Sequence, residues 1–125
     1  MKTPIETSHA PAPIGPYSQA IQKGDLLFVS GQVAINPENQ EVIKGSIEEE
    51  AHQVMHNILA ILKEAGLGFE NILNSTIYLK NFDQFKNVNA VYESYLSKPY
   101  PARTTVEVSR LPKDVNLEIA VIASR

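Results

Sequence analysis

The sequence predicts one α+β domain, residues 1–125, in which two helices cover one face of a six-stranded, mostly antiparallel sheet. Three observations lead to this prediction. Two segments carry apolar residues at helical spacing, and six short segments are rich in β-branched and aromatic residues. Their order is strands, helix, strand, helix, strands, which is typical of an α+β sandwich. A chain of 125 residues, 43% of them hydrophobic, suits one compact core.

Six segments are predicted to be strands. The two nearest the amino terminus have the weaker patterns, and the other four are clearly apolar or β-branched. The predicted strands are residues 4–7, 18–23, 26–35, 72–80, 102–108 and 115–123. Asn36-Pro37-Glu38-Asn39 is predicted to form a turn, and residues 111–114, Leu-Pro-Lys-Asp, are expected to join the last two strands as a hairpin.

The first predicted helix has clear start and stop signals. Ser46 and Glu49 have the S-x-x-E spacing of a capping box, and Gly66 or Gly68 is expected to end the helix. Between these limits the apolar residues recur at three- and four-residue steps, which places them on one stripe of a helix. These residues are Ile47, Ala51, Val54, Met55, Ile58, Ile61, Leu62 and Ala65.

The second predicted helix is shorter and more aromatic. Asn81 is placed to cap it, and Pro99 and Pro101 prevent its continuation. Its expected buried face consists of Phe82, Phe85, Val88, Tyr92, Tyr95 and Leu96.

The strand patterns also concern the sheet face that the two helices leave open. Both alternating sets of side chains are apolar in residues 26–29, and the last strand has Ala120 and Ile122 on the set opposite Leu117 and Ile119. An antiparallel sheet with one face in water normally alternates apolar and polar residues more cleanly. We therefore expect a second copy of the chain to cover this face. The alternative is that single exposed apolar residues are simply tolerated.

An arginine, Arg103, lies within the predicted strand 102–108 and raises the question of its role. If the last two strands form a hairpin, matching apolar residues pairs Val108 with Val115, and Arg103 then shares a face with Glu118. A surface salt bridge is the ordinary explanation for such a pair. In a partly dry cleft, however, an arginine suits a planar carboxylate and a glutamate could exchange a proton with water.

Four further residues are candidates for a pocket. Tyr17 lies in a segment stiffened by two prolines and a glycine, and it is either a core tyrosine or the wall of a pocket. Ser30 and Gly31 follow an apolar strand, where glycine permits a bulge or a close approach to a ligand. Asn89, in the second helix, is either a surface amide or a group directed at a cleft.

Composition excludes several classes of function. The net charge is -3 and the basic residues are scattered, so nucleic acid is not an expected partner. The chain has no cysteine, which excludes disulfides and thiolate metal sites. No apolar stretch is long enough for a membrane span and no leader is evident, so a soluble cytoplasmic protein is expected.

One histidine pair has metal-ligand spacing, but no metal site is expected there. His52 and His56 stand four residues apart on the first helix. Gln53 replaces the glutamate of the H-E-x-x-H pattern, and no third ligand is evident.

Five segments together resemble the Rid family, specifically its RidA branch. They are IGPYSQA, FVSGQV, VNAVYE, PARTTVEVSRLPKD and LEIAVIA, and the resemblance extends from residue 5 to the carboxyl terminus. It implies a chorismate-mutase-like α+β fold, a homotrimer with clefts between subunits, and no metal or organic cofactor. The implied reaction is hydrolysis of 2-imino acids, such as 2-iminobutanoate and 2-iminopropanoate, to 2-oxo acids and ammonia.

The resemblance also implies roles for individual residues. Arg103 would bind the substrate carboxylate, and Glu118 would position or activate water. Tyr17, Ser30, Gly31 and Asn89 match the family's pocket wall. Thr105 would also contact the substrate, at a position where several relatives have cysteine; since backbone groups are thought to make that contact, threonine is compatible with imine hydrolysis. Ala120 stands where relatives often have a second glutamate, leaving Glu118 as the only carboxylate of its strand.

Two other functions remain open at this level. The same cleft would suit a non-enzymatic regulator that binds a 2-oxo acid. The family has also been described as ribonucleases or translation inhibitors, although scattered lysines and a negative net charge argue against strong phosphate binding.

Overall fold

A computed structural model describes all 125 residues and has the predicted α+β architecture. The sheet order is β1-β2-β3-β8-β6-β7, and a separate short hairpin pairs β4 with β5. The elements are β1 (Thr3–Ile5), β2 (Ala20–Lys23), β3 (Leu26–Gln32), β4 (Ile35–Asn36), β5 (Glu41–Val42), α1 (Ile47–Glu64), β6 (Ile72–Leu79), α2 (Phe85–Ser94), β7 (Ala102–Glu107) and β8 (Leu117–Ser124), with 3₁₀ turns at Phe69–Asn71, Phe82–Gln84 and Pro112–Asp114.

Helix α1 begins and ends where the sequence predicts. The Ser46 side chain accepts a hydrogen bond from the Glu49 N–H, and the Glu49 side chain accepts one from the Ser46 N–H, which completes the capping box. At the other end Gly66 takes a φ of +77°, a left-handed conformation that ends helices and favours glycine. The apolar stripe of α1 packs on β3 and β8.

Helix α2 is shorter than the sequence predicts. Asn81 caps a 3₁₀ turn at Phe82–Gln84 by accepting the Asp83 N–H, and the α-helix itself starts only at Phe85. The helix packs against α1, so that both helices lie on the same side of the sheet. Between the helices and the sheet lies one core of 23 buried residues.

The predicted hairpin between the last two strands is wrong. β7 pairs only with β6, and the two strands are parallel. β6 lies between β7 and β8, and it pairs with β8 in the antiparallel sense. The physical reason is α2, which links β6 to β7. It returns the chain to the end of the sheet at which β6 begins, as helical crossovers between parallel strands do. Apolar matching selected a plausible partner for β7 but could not show that another strand stands between.

The second face of the sheet is left open in the single chain. Along β8, four buried residues facing the helices alternate with four partly exposed ones, Glu118, Ala120, Ile122 and Ser124. On neighbouring strands Leu26 is 40% exposed and Phe28 is 45% exposed. An apolar sheet face of this kind normally has a covering element. That a second copy provides it stays a prediction.

Neither α1 nor α2 combines the length and the apolar character of a membrane-spanning segment.

Candidate functional site

Arg103 is held on the helix side of the sheet. Its backbone pairs with Ser75 of β6, which is fully buried beneath the helices. The guanidinium carbon lies 5.4 Å from the ring centroids of both Phe85 and Tyr92, and one guanidinium nitrogen donates to Asn89 Oδ1 at 2.5 Å. All three partners lie on one stripe of α2. The aromatic faces of Phe85 and Tyr92 stabilise the positive charge and fix its position.

No carboxylate of the chain neutralises this arginine. The only salt bridge in the structure joins Lys80 to Asp114, and Asn89 is the only hydrogen-bond partner of Arg103. Since a guanidinium carries five N–H donors, most of the fork remains free. It opens on a cavity of about 370 Å³ whose lining includes Glu93, Tyr100 and Pro101. We call this surface the Arg103 wall. A planar anion could bind there through two parallel hydrogen bonds.

Glu118 occupies the open face of the sheet. It pairs with Tyr78 of β6, and Tyr78 also pairs with Val106 of β7, so these three side chains share one face. The carboxyl group is half-buried and forms no hydrogen bond or salt bridge. Burial raises its pKa above the usual value for glutamate. A carboxyl group in this condition can exchange protons with water closer to neutral pH than an exposed one.

Gly31 makes room for the Glu118 carboxylate. The pairing of β3 with β8 shifts between Val29 and Gln32, so that β3 has one more residue than β8 in this interval. This is the bulge that the sequence permits at glycine. A Cβ atom at Gly31 would lie only 2.2 Å from Glu118 Oε2. A larger residue at this position would therefore displace the carboxylate that packs against it.

The loop that carries Tyr17 forms the rest of the surface around Glu118 and Gly31. Buried Gln19 anchors the loop through hydrogen bonds to the carbonyl groups of Thr7 and Pro11, at 3.0 and 2.9 Å. Ser30 holds the other end of the loop, because its hydroxyl donates a hydrogen bond to the Ser18 carbonyl at 2.6 Å.

Tyr17 is half-exposed, which rules out a core tyrosine, and its hydroxyl accepts the Ile14 N–H at 3.4 Å. Together with Gly31, Lys113 and Glu118 it lines a cavity of about 100 Å³. We call this surface the Glu118 wall.

The two charged residues lie on opposite faces of the sheet within one chain. Arg103 is in register with Ser75, and Ser75 is in register with Val121 of the buried face. Glu118 lies at an odd number of residues from Val121 and therefore points the other way. The expectation that Arg103 and Glu118 are diagonal neighbours on one face is wrong. That expectation depended on direct pairing of β7 with β8, and β6 lies between these two strands.

Thr105 lies two residues after Arg103, on the same face of β7. Its hydroxyl oxygen is buried and has no hydrogen-bond partner. The Val108 N–H donates to the Leu79 carbonyl at 2.8 Å, so even-numbered residues of β7 bond to β6. The backbone N–H groups of Arg103 and Thr105 consequently face the free edge of the sheet. A ligand at the Arg103 wall would find these two donors unpaired.

The histidine pair of α1 is engaged within the chain. His52 Nδ1 and His56 Nε2 both lie within hydrogen-bonding distance of the Tyr95 hydroxyl, at 2.6 and 3.1 Å. The two imidazoles thus bracket a tyrosine at the end of α2, which links the two helices.

Sequence reasoning missed the aromatic support of Arg103 and two charged residues beside the candidate groups. Phe85, Asn89 and Tyr92 stand at helical spacing and could have been recognised as one stripe that faces a strand. Glu93 beside Arg103 and Lys113 beside Glu118 carry no local pattern that distinguishes them from ordinary surface charges. Only the fold shows which cavity each one lines.

Comparisons with known proteins agree with the fold. Residues 7–125 match the family model described as Endoribonuclease L-PSP. A RutC family protein of Pyrococcus horikoshii is 50% identical over 123 residues, which is 98% of each chain. The solved structure of YyfA, a Rid family protein of unknown function from Yersinia pestis, is 44% identical, with a TM-score of 0.97 and full coverage of both chains. TdcF of E. coli, solved with bound serine, is 38% identical, with a TM-score of 0.94 over 98% of both chains.

Proposed function

Because the chain belongs to the Endoribonuclease L-PSP family, which includes the RutC and Rid proteins, we propose that it hydrolyses reactive 2-imino acids to 2-oxo acids and ammonia. The substrates would be small 2-imino acids such as 2-iminobutanoate and 2-iminopropanoate, which arise as by-products of pyridoxal-phosphate enzymes. The observation that carries the proposal is the unneutralised guanidinium of Arg103, fixed over two aromatic rings and open to a cavity.

The substrate carboxylate would bind to this guanidinium. A 2-imino acid has its carboxylate directly attached to the C=N carbon, so one bidentate contact fixes both the position and the orientation of the reacting bond. Free backbone N–H groups at the edge of β7 are available to the same ligand. Serine, with which the relative TdcF was solved, also carries an α-carboxylate, and this supports a site for small amino-acid-like anions.

Glu118 would act on the water. As a carboxylate it accepts a proton from the water while the water oxygen attacks the C=N carbon, and it passes this proton to the imine nitrogen, which gives a carbinolamine. Glu118 then accepts the hydroxyl proton of the carbinolamine and returns it to the nitrogen as the C–N bond breaks, so that the nitrogen leaves as ammonia. The products are the 2-oxo acid and ammonia, and Glu118 ends in its starting state.

Two copies of the chain are required to bring these groups together. Arg103 and Glu118 lie on opposite faces of one sheet, so no small ligand reaches both within one chain. If the Arg103 wall of one subunit faces the Glu118 wall of the next, each cleft receives both groups. A closed ring of three subunits, as the resemblance implies, would also cover the exposed apolar face around Phe28.

The direct test is a coupled assay in which an amino-acid oxidase or dehydratase generates 2-iminopropanoate and the added protein accelerates its disappearance. Replacing Arg103 by alanine should abolish the acceleration without changing the oligomeric state. Acceleration that persists in this variant would overturn the assignment. The matched control is Arg110→Ala, an exposed arginine outside both walls.

A non-enzymatic binding role for the same cleft is the alternative that the serine-bound relative favours. Glu118→Ala distinguishes the two roles. An enzyme should lose turnover while it keeps ligand affinity, whereas a pure binding protein has no turnover to lose. Calorimetric titration with pyruvate, together with the imine assay on the same samples, measures both properties.

Cleavage of RNA is the function that the family description names. The chain carries a net charge of -3, and each wall has one cation and one anion, which gives little attraction for a polyphosphate backbone. RNA cleavage by Arg103→Ala protein free of contaminants would restore this role.

A further inference from the structure

Two charged residues in the candidate cleft have no role in the proposed chemistry. Glu93 lies one helical turn after Asn89 on α2 and lines the cavity of the Arg103 wall. Its exposed side chain makes no salt bridge or hydrogen bond. The Arg103 wall therefore carries one cation that the substrate would use and one anion without a partner.

The Glu118 wall has the opposite arrangement. Its charged residues are Glu118, which would act on water, and Lys113, whose ammonium group has no partner in the chain. The unused charge is negative on one wall and positive on the other.

The loop that carries Lys113 is held in an unusual conformation. Lys113 and Asp114 both have a φ of 55°, in the left-handed region that residues other than glycine adopt at a cost of about 1 kcal/mol or more each. Three contacts keep the loop in place: Leu111 and Val115 are buried on either side, and Asp114 pairs with Lys80 at 2.6 Å. Such strain persists only where the surroundings impose it, so the position of Lys113 is fixed rather than incidental.

From this complementarity we infer that Lys113 of one subunit pairs with Glu93 of its neighbour and so aligns the two walls of the cleft. The inference rests on the proposed cleft between subunits. When the Arg103 wall and the Glu118 wall meet, the cleft contains four charged residues. Arg103 would bind the substrate and Glu118 would act on the water, and the two that remain, Glu93 and Lys113, are opposite in sign. Pairing these two leaves Arg103 as the only unneutralised cation in the cleft, which favours a single carboxylate as its ligand.

Charge reversal tests the pairing. Glu93→Lys places a cation opposite Lys113, and Lys113→Glu places an anion opposite Glu93, so each single variant should weaken subunit association and lower kcat/KM by about tenfold. The double variant restores opposite charges and should recover both quantities to within about threefold of wild type. Sedimentation over a range of protein concentrations measures association, and the imine assay measures kcat/KM.

Three comparisons make the result decisive. Raising the salt concentration should reduce the defects of the single variants, since the repulsion is screened. The neutral variants Glu93→Gln and Lys113→Met remove the attraction between the two residues without adding a repulsion, so they test the pairing without reversed charges. Lys63→Glu combined with Glu64→Lys, on an exposed part of α1, should change neither quantity.

The pairing is refuted if the defects of the double variant equal the product of the two single defects. It is also refuted if the wild-type chain does not associate, an outcome that removes the shared cleft as well. Charge-swap rescue of association in a protein without imine hydrolysis supports the pairing and refutes only the proposed reaction. Imine hydrolysis by a trimer without rescue refutes only the pairing.

Discussion

Gly31→Ala should separate catalysis from folding at the Glu118 wall. A Cβ atom at this position would lie 2.2 Å from Glu118 Oε2, 2.7 Å from Cδ and 3.0 Å from Cγ, whereas an ordinary contact is 3.4 Å or longer. The carboxylate oxygen must therefore move by about 1.2 Å, the difference between the two contact distances. Because the atoms that must move belong to a flexible side chain, the fold has a simple way to adapt.

The displacement has unequal consequences for stability and for turnover. We expect the free energy of unfolding to change by less than about 1 kcal/mol, since the backbone conformation at this residue is open to alanine. A catalytic group misplaced by about 1 Å can lower the rate by about 100-fold. We therefore expect kcat for 2-iminopropanoate to fall by about two orders of magnitude, while KM, which the proposed contact with Arg103 on the other wall would set, changes little.

The matched control is Gly45→Ala, which lies outside both walls. A Cβ atom there would meet the Glu49 carboxyl carbon at 2.9 Å, so the control also displaces a glutamate. It should lower the melting temperature slightly by disturbing the capping box of α1 and leave kcat unchanged. Turnover at the wild-type rate in Gly31→Ala protein, with a crystal structure that shows the displaced carboxylate, would refute the role of Glu118.

Three further predictions concern stability. Because burial raises the pKa of Glu118, the neutral form favours folding, and this stabilisation is lost as the pH rises above the unfolded pKa through the higher folded one. Glu118→Gln should therefore be more stable than wild type in urea titrations at pH 7, by less than about 1 kcal/mol because solvent screens the half-exposed carboxyl group, and should lose this advantage at pH 4. Thr105→Val should stabilise the fold by about 1 kcal/mol in urea titrations, because it removes a buried hydroxyl without a partner, and it should keep turnover if the backbone makes the ligand contact; a loss of stability would mean that the hydroxyl is bonded. Tyr92→Phe should cost about 1 to 3 kcal/mol by leaving the buried Ser75 hydroxyl unpaired, with kcat nearly unchanged because the ring under Arg103 remains, and an unaltered melting curve would contradict this.

Features that depend on neighbouring residues could be predicted from the sequence. The capping box at Ser46 and Glu49, the end of α1 at Gly66 and the bulge at Gly31 each follow from a few adjacent residues whose backbone requirements are specific. The six strands and two helices follow from periodicity in the same way. The family resemblance, carried by five separate segments, extended this local information to the fold.

Strand pairing could not be predicted in the same way. The apolar set of β7 matches β8 as well as it matches β6, and pattern alone does not show that α2 carries the chain to the outer edge of the sheet. That error placed Arg103 and Glu118 on one face. The left-handed conformation of Lys113 is equally invisible in the sequence, because lysine rarely adopts it and only the surrounding contacts impose it.

Mixing two inactive variants is the most direct test of a cleft shared between subunits. Arg103→Ala and Glu118→Gln proteins would be unfolded and refolded together in equal amounts, and turnover of 2-iminopropanoate compared with that of each variant alone. In a cyclic trimer about one quarter of wild-type turnover should return, because about three quarters of randomly mixed trimers contain both variants and each of these has one intact cleft of three. If both residues served one chain's own site, every site in the mixture would lack one of them, and the absence of any recovered turnover would contradict the shared cleft.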